Sequence, residues 1–140
     1  MLPKEFSCEG RDASPELEWR NAPQGTRSFA LIAEDPDAPG GTWVHWVVYD
    51  LPAAVHQLSE GVPKRSEIQG GGRQGDNDFG RVGYGGPCPP PGSPHRYFFR
   101  LYALDTVLDL KGAVNKAEVE QAMKGHVLAQ AELMGRYARK

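Results

Sequence analysis

Three groups of polar residues in this chain could do chemistry. Asp35 and Asp37 flank a proline after an apolar run, His45 lies among aromatic and β-branched residues, and His95 precedes Tyr97 by two positions. Side chains at positions i and i+2 of an extended segment point to the same side. Asp35 and Asp37 therefore face one way if their segment stays extended, and His95 and Tyr97 share a face.

Each of these groups also has a purely structural interpretation. An Asp-Pro-Asp sequence is typical of a turn, and a tyrosine often tethers a loop. His45 is aligned with Trp43, Val47 and Tyr49 along one face of its strand, so it lies either on a wet face or in the core with a partner. Together, however, imidazoles, a phenol and carboxylates could bind an anion or serve acid–base or metal chemistry.

A loop rich in glycine and proline, Gly85–Gly92, favours the interpretation as a binding site. Its glycines let the backbone approach a ligand closely, and its prolines make it rigid. It belongs to a long irregular stretch, 70–94, which we expect to be an ordered functional loop because it joins two strongly patterned strands. Asp76-Asn77-Asp78 within this stretch is predicted to form a turn network and lacks the downstream glutamate of a calcium loop.

Short apolar and aromatic runs indicate the strands that must position these residues. They cover 28–33, 43–51 and 95–104, and a weaker strand is expected near 17–19. After Gly112, Asn115 and Glu118 have the spacing of a capping box, which predicts a helix. Gly125 is expected to break this helix, giving two short helices, of which the second ends near Gly135.

Composition bounds the class of protein. The chain has 140 residues, 39% hydrophobic and 24% charged, with a formal net charge of -2. We therefore expect one domain over residues 1–140 and no nucleic-acid partner. No apolar run approaches the roughly 18 residues of a membrane span. The first residues lack the apolar region of a secretion signal, which favours a cytoplasmic location.

The two cysteines, Cys8 and Cys88, stand in unrelated sequence contexts. A disulfide framework or a zinc site would usually show more cysteines or a closely spaced pair. We therefore predict two reduced thiols and no metal site.

Three stretches carry a resemblance to a known family. Together they resemble the signature regions of the phosphatidylethanolamine-binding proteins, which include the Raf kinase inhibitor-like proteins of bacteria and archaea. The stretches are Asp35–Pro39, Trp43–Trp46 and Gly86–Tyr97. The resemblance runs in the expected order from about Phe6 to Tyr137.

The resemblance implies a fold and a site. The fold is mainly β, a Greek-key antiparallel β-sandwich with short C-terminal α-helices. The site is a small anion-binding pocket, with Pro87 in its wall. Its other residues, carried over from the family, are Asp35, Asp37, His45, Gly86, His95 and Tyr97.

The function implied is that of a non-catalytic protein that binds phosphate or another small anionic group, such as a phospholipid headgroup or a phosphorylated ligand. One alternative is a protein-interaction module that inhibits a kinase or a serine protease. A second alternative is a hydrolase-like enzyme that uses the aspartates and histidines. No cofactor and no integral membrane association are expected, and the resemblance suggests a homodimer.

Overall fold

Seven β-strands and one α-helix form the regular structure of residues 1–139, the part of the chain that the computed structural model describes. A single turn of 3₁₀-helix, Lys4–Phe6, precedes them. The elements are β1 (Leu17–Glu18), β2 (Ser28–Asp35), β3 (Trp43–Pro52), β4 (Gln57–Leu58), β5 (Arg73–Gln74), β6 (His95–Leu104), α1 (Lys116–Met123) and β7 (Val127–Tyr137).

The strands form two antiparallel sheets. The larger has the order β5-β3-β2-β6-β7, and the smaller pairs β1 with β4. The predicted strands at 28–33, 43–51 and 95–104 correspond to β2, β3 and β6, and the weaker one to β1. The mainly β, antiparallel fold is confirmed.

Strand β2 lies at the centre of the larger sheet, and all eight of its residues are buried. Its odd-numbered residues, such as Leu31, join a core cluster with Trp46 and Phe99, against which Leu17 of β1 packs. Its even-numbered residue Ile32 faces the opposite way, into a second cluster. This strand reads as a continuous apolar run because both of its faces are covered.

Helix α1 covers the second cluster. The side chain of Asn115 accepts a hydrogen bond from the backbone of Glu118, and the reciprocal bond is also present, so the predicted capping box is confirmed. Val119 and Met123 are the buried residues of this helix. Gly125 follows with a φ of +80°, a conformation that ends helices readily at glycine. No helix among residues 1–139 has both the length and the apolar character needed to cross a membrane.

The prediction of a second helix ending near Gly135 is wrong. Residues 127–137 form β7, which pairs along its whole length with β6, from Val127 opposite Leu104 to Tyr137 opposite His95. The segment contains alanine, leucine, glutamine, glutamate and methionine, which favour helix in isolation. Pairing with a long neighbouring strand overrides that local preference.

The prediction of two reduced thiols is also wrong. Cys8 and Cys88 form a disulfide across 80 residues of sequence. The surrounding contacts join the same two segments, because the Cys8 amide donates to the Pro87 carbonyl and the Tyr84 hydroxyl donates to the Phe6 carbonyl. The N-terminal segment is therefore fastened to the loop that precedes β6.

Candidate functional site

Three strands of the larger sheet bring distant residues to one cavity. Asp35 ends β2 opposite Trp43 of β3, and on its other side β2 pairs with the start of β6. The cavity at this edge has a volume of about 450 Å³. It is lined by Asp35, Ala38, Pro39, Gly40, Gly41, Thr42, Trp43, His45, Asp78, Phe79, Cys88, Pro89, Pro90, His95 and Tyr97.

A histidine–carboxylate pair lies at the start of β6. The Nδ1 atom of His95 is 2.7 Å from Oδ2 of Asp35. Because a carboxylate can only accept, Nδ1 carries the proton, and the bond fixes the orientation and tautomer of the ring. Asp35 is held in turn by the Asp37 amide, which donates to its other oxygen. The Nε2 atom of His95 takes no part in this pair and can form a hydrogen bond with a ligand.

A β-bulge aims His45 at the same cavity. Ala33 lies opposite Trp46, but the next residue, Glu34, lies opposite Val44, so His45 is the extra residue in β3. A bulge places two successive side chains on one face. The prediction that His45 is aligned with Val47 and Tyr49 is therefore wrong. Those two side chains belong to the second core cluster, on the other face of the sheet. The His45 ring instead contacts the Tyr97 ring edge to face, with ring centroids 5.2 Å apart.

His45 is buried and bonded to the loop. Its Nδ1 atom is 2.6 Å from the carbonyl oxygen of Gly85, so Nδ1 is the protonated nitrogen. Burial lowers the pKa of His45, against a smaller opposing effect of this hydrogen bond. The ring is consequently neutral near pH 7, with Nε2 as a hydrogen-bond acceptor.

Tyr97 lines the cavity between the two histidines. Its ring stacks on His95 at 6.5 Å and packs against His45. Burial, with the charges of Asp35 and Asp37, raises the pKa of the Tyr97 hydroxyl, which stays protonated. This hydroxyl is buried and has no hydrogen-bond partner among the described residues. A buried hydroxyl without a partner is costly, so a ligand that accepted from it would be favoured.

Asp37 is not among the residues that line the cavity. Its carboxylate holds the Arg96 side chain through two bonds, at 3.0 and 2.9 Å, and accepts from the Arg96 amide. These hydrogen bonds lower the pKa of Asp37 to about 2. The aspartates therefore have separate tasks, since Asp35 orients a histidine while Asp37 fastens the start of β6.

The Asp37–Arg96 pair predicts a pH dependence. Because the pKa of Asp37 is lower in the folded chain, the stabilisation from this pair is present above the ordinary value of 3.8 and is lost as the pH falls toward 2. In a carboxyl-carbon NMR titration we expect a midpoint of about 2, returning toward 3.8 in Arg96→Ala. An identical midpoint in the two proteins would contradict the pairing.

Gly86 and Pro87 lie beside the cavity without lining it. The Gly86 amide donates to Oδ1 of Asp12 at 2.7 Å, and Pro87 is buried, with its carbonyl bonded to Cys8. The loop residues on the cavity wall are instead Cys88, Pro89 and Pro90. The disulfide thus fixes a residue of the wall itself.

Phe79 and Asp78 also line the cavity and were not among the predicted site residues. Phe79 contacts both Trp43 and His45 edge to face, each with a centroid distance of 5.5 Å. Asp78 accepts from the Val44 amide and so holds the cavity loop to β3. The sequence signal available for Phe79 was its position as an apolar residue in a polar loop.

The charge of the lining is unusual for an anion site. No lysine or arginine lines the cavity, whereas Asp35 and Asp78 do. Each carboxylate is engaged, one by His95 and one by a backbone amide. Positive charge can therefore arise at this site only by protonation of histidine. No group of three or more metal-ligating side chains occurs within residues 1–139.

Sequence comparison identifies relatives along the whole chain. The family described as phosphatidylethanolamine-binding protein matches residues 1–138. A "UPF0098 protein" of Aquifex aeolicus is 51% identical over 140 residues, covering 99% of this chain and 81% of that protein. Another of the same name, from Methanothermobacter thermautotrophicus, is 50% identical over 138 residues and covers 99% of this chain and 91% of its own.

Two crystal structures have closely similar folds. The putative phosphatidylethanolamine-binding protein homologue CT736 of Chlamydia trachomatis superimposes with a TM-score of 0.88 at 43% identity, covering 99% of this chain and 89% of its own. YbcL of E. coli superimposes with a TM-score of 0.86 at 40% identity, with 96% and 85% covered.

Proposed function

Because the chain belongs to the phosphatidylethanolamine-binding protein family, we propose that its cavity binds a small phosphate-like anion, free or carried by a larger ligand. The observation that carries this proposal is the His95–Asp35 pair, which leaves Nε2 of His95 available beside the cavity. When this ring is protonated, Nε2–H becomes a charged donor, and charge-assisted hydrogen bonds are the strong ones.

His45 supplies a complementary group. Its neutral ring has Nδ1–H bonded to Gly85, so its Nε2 accepts. A phosphate monoester that carries one proton is a monoanion, with one hydroxyl to donate and further oxygens that accept. Such a group donates to His45 and accepts from His95, whereas the monoester dianion has no proton to give His45. Inorganic phosphate keeps a hydroxyl in both its monoanion and its dianion, and the monoanion has the smaller charge to set beside the lining aspartates. The site is therefore suited to the monoanion.

The Tyr97 hydroxyl, which has no hydrogen-bond partner among the described residues, supports the same ligand. The Tyr97 ring contacts both imidazoles, and a phosphate oxygen within reach would accept a hydrogen bond from this neutral hydroxyl. The aspartates that line the cavity limit the negative charge of the ligand, because Asp78 would repel a dianion. Where the phosphate is part of phosphoethanolamine, the ammonium group can meet this carboxylate.

Binding without turnover is the activity proposed. A nucleophile needs a base within hydrogen-bonding reach. Cys88, the cysteine of the cavity lining, has no thiol to act as a nucleophile because it is bonded to Cys8 in a disulfide, and no serine lines the cavity. A cytoplasmic location stays a prediction, and the disulfide weakens it because such bonds are rare in reducing compartments.

The test is calorimetric titration with inorganic phosphate and with phosphoethanolamine from about pH 5.5 to 8. Affinity should rise as the pH falls, because a phosphate group takes up a proton in this range, near about pH 6 for phosphate esters, and the monoanion is repelled less by Asp78 than the dianion. An affinity that is flat over this range contradicts the proposal. Tighter binding of phosphoethanolamine than of phosphate would identify a headgroup as the ligand, and equal binding would identify the phosphate alone.

A further inference from the structure

The Cys8–Cys88 disulfide lies between two cavities. Cys88 lines the cavity described above, whereas Cys8 lines a second cavity, of about 430 Å³. The side chain of Phe79 is shared by the two linings. Both cysteine residues are exposed, so a small molecule can reach the bond while the chain is folded. An exposed disulfide is open to exchange with thiols, whereas a buried one is protected.

The second cavity has the positive side chains that the first one lacks. Lys64 and Arg81 line it, together with the carboxylate of Asp12. Lys64 is bonded to Asp12 at 3.0 Å, so these two charges offset each other. Arg81 takes no part in the ion pairs formed within residues 1–139. An uncompensated guanidinium in the cavity that Cys8 lines therefore favours the approach of an anion to this cysteine.

Arg139 lies at the other end of the bond, with its Nη1 atom 3.9 Å from Sγ of Cys88. A guanidinium in contact with sulfur stabilises the negative charge of a thiolate. The other titratable side chains that line the Cys88 cavity are those of Asp35, His45, Asp78, His95 and Tyr97. Its two carboxylates are each engaged by a hydrogen-bond donor, whereas the Arg139 charge contacts the sulfur itself. Cys88 is therefore the better leaving group of the two cysteines.

We propose that the Cys8–Cys88 disulfide is a site of reversible thiol–disulfide exchange with a negatively charged small thiol. The thiolate of that molecule attacks Sγ of Cys8, the disulfide bond breaks, and its electron pair leaves with Cys88 as a thiolate beside Arg139. A second thiol molecule then attacks the mixed disulfide, which forms a disulfide of the two small molecules and leaves Cys8 reduced. The two thiols supply two electrons and two protons, and reversal of the sequence restores the bond.

The first test is the rate of reduction by two thiols that differ by one negative charge, mercaptoethanesulfonate and mercaptoethanol. At equal thiolate concentration and low ionic strength, the sulfonate should reduce the folded wild-type protein at least about threefold faster, because Arg81 attracts it. The difference should disappear in Arg81→Gln and persist in Arg65→Gln, a matched control at an exposed arginine outside the second cavity. A wild-type protein that reacts no faster with the sulfonate overturns the proposal.

The second test identifies which sulfur is attacked in the wild-type chain. A brief reaction with mercaptoethanesulfonate, quenched with acid and followed by peptide mass spectrometry, should place the mixed disulfide on Cys8 and a free thiol at Cys88. Arg139→Gln should slow the reduction at least about threefold, whereas Arg136→Gln, at an exposed arginine nearby in sequence, should not. A mixed disulfide mainly on Cys88, or an unchanged rate in Arg139→Gln, overturns the proposal.

The ionisation of Cys88 gives an independent readout. In Cys8→Ser, checked to be folded, the rate of Cys88 alkylation against pH should give a thiol pKa below the ordinary value of cysteine, because of the Arg139 charge. The pKa should return toward that value when Arg139→Gln is added to Cys8→Ser. Equal pKa values in the two proteins would contradict a thiolate stabilised by Arg139. None of these measurements uses phosphate, so their outcome is independent of phosphate binding.

Discussion

Reduction of the Cys8–Cys88 disulfide is expected to lower the free energy of unfolding by about 4 kcal/mol. The bond spans 80 residues of sequence, and the entropy lost by an unfolded chain on closing a loop of that size gives a stabilisation of this order. Both cysteines are exposed, so a reductant can reach the bond without prior unfolding. Denaturant titration with and without reductant measures the difference.

The double variant Cys8→Ser, Cys88→Ser is the control for this prediction. It should be as unstable as the reduced wild type and insensitive to reductant. Hydrogen bonds of Asp12 and Phe6 to the loop remain, so the fold should persist while the wall near Pro89 loosens. A wild-type protein whose unfolding does not respond to reductant would contradict the disulfide.

The parts of the fold that were predictable are those in which local pattern and burial agree. The apolar run of β2 and the aromatic run of β6 are strands in the structure, and Asn115 caps α1 as its spacing predicts. Asp35, His45, His95 and Tyr97 line one cavity, as the family resemblance implies for its pocket. The resemblance could group these residues because members of a family share a fold, and in that fold these separate stretches of chain meet.

The parts that were not predictable depend on contacts between distant segments. Residues 127–137 have helical composition and become a strand because β6 offers a partner. The bulge that turns His45 depends on how β2 and β3 align, which the sequence of one strand does not reveal. The Gly86 amide, expected at the pocket, is taken by Asp12 from 74 residues away.

Substitution His95→Ala is expected to weaken phosphate binding by about 1.5–3 kcal/mol, or roughly 10- to 150-fold. This ring is the group that can present a charged donor at the cavity, and its side chain is only 14% exposed, so solvent replaces the lost bond poorly. His95→Ala is a cleaner test than His45→Ala, because His45 is more deeply buried and packs against Phe79 and Tyr97. Loss of that ring would also cost stability.

The chain supplies a matched control in His126. Its Nδ1 atom is 2.8 Å from Oδ1 of Asp105, the same kind of pair as His95 with Asp35. It lies beyond the far end of β6, roughly 30 Å from the cavity by strand length. His126→Ala removes an imidazole and its carboxylate bond without touching the site.

The most direct test of the site is calorimetric titration of phosphate at about pH 6 into three proteins shown to be folded, namely wild type, His95→Ala and His126→Ala. If the imidazole of His95 binds the phosphate, wild type and His126→Ala have equal affinities, and His95→Ala binds at least tenfold more weakly. Equal affinities in all three proteins, or no measurable phosphate binding by the wild type, would contradict the account.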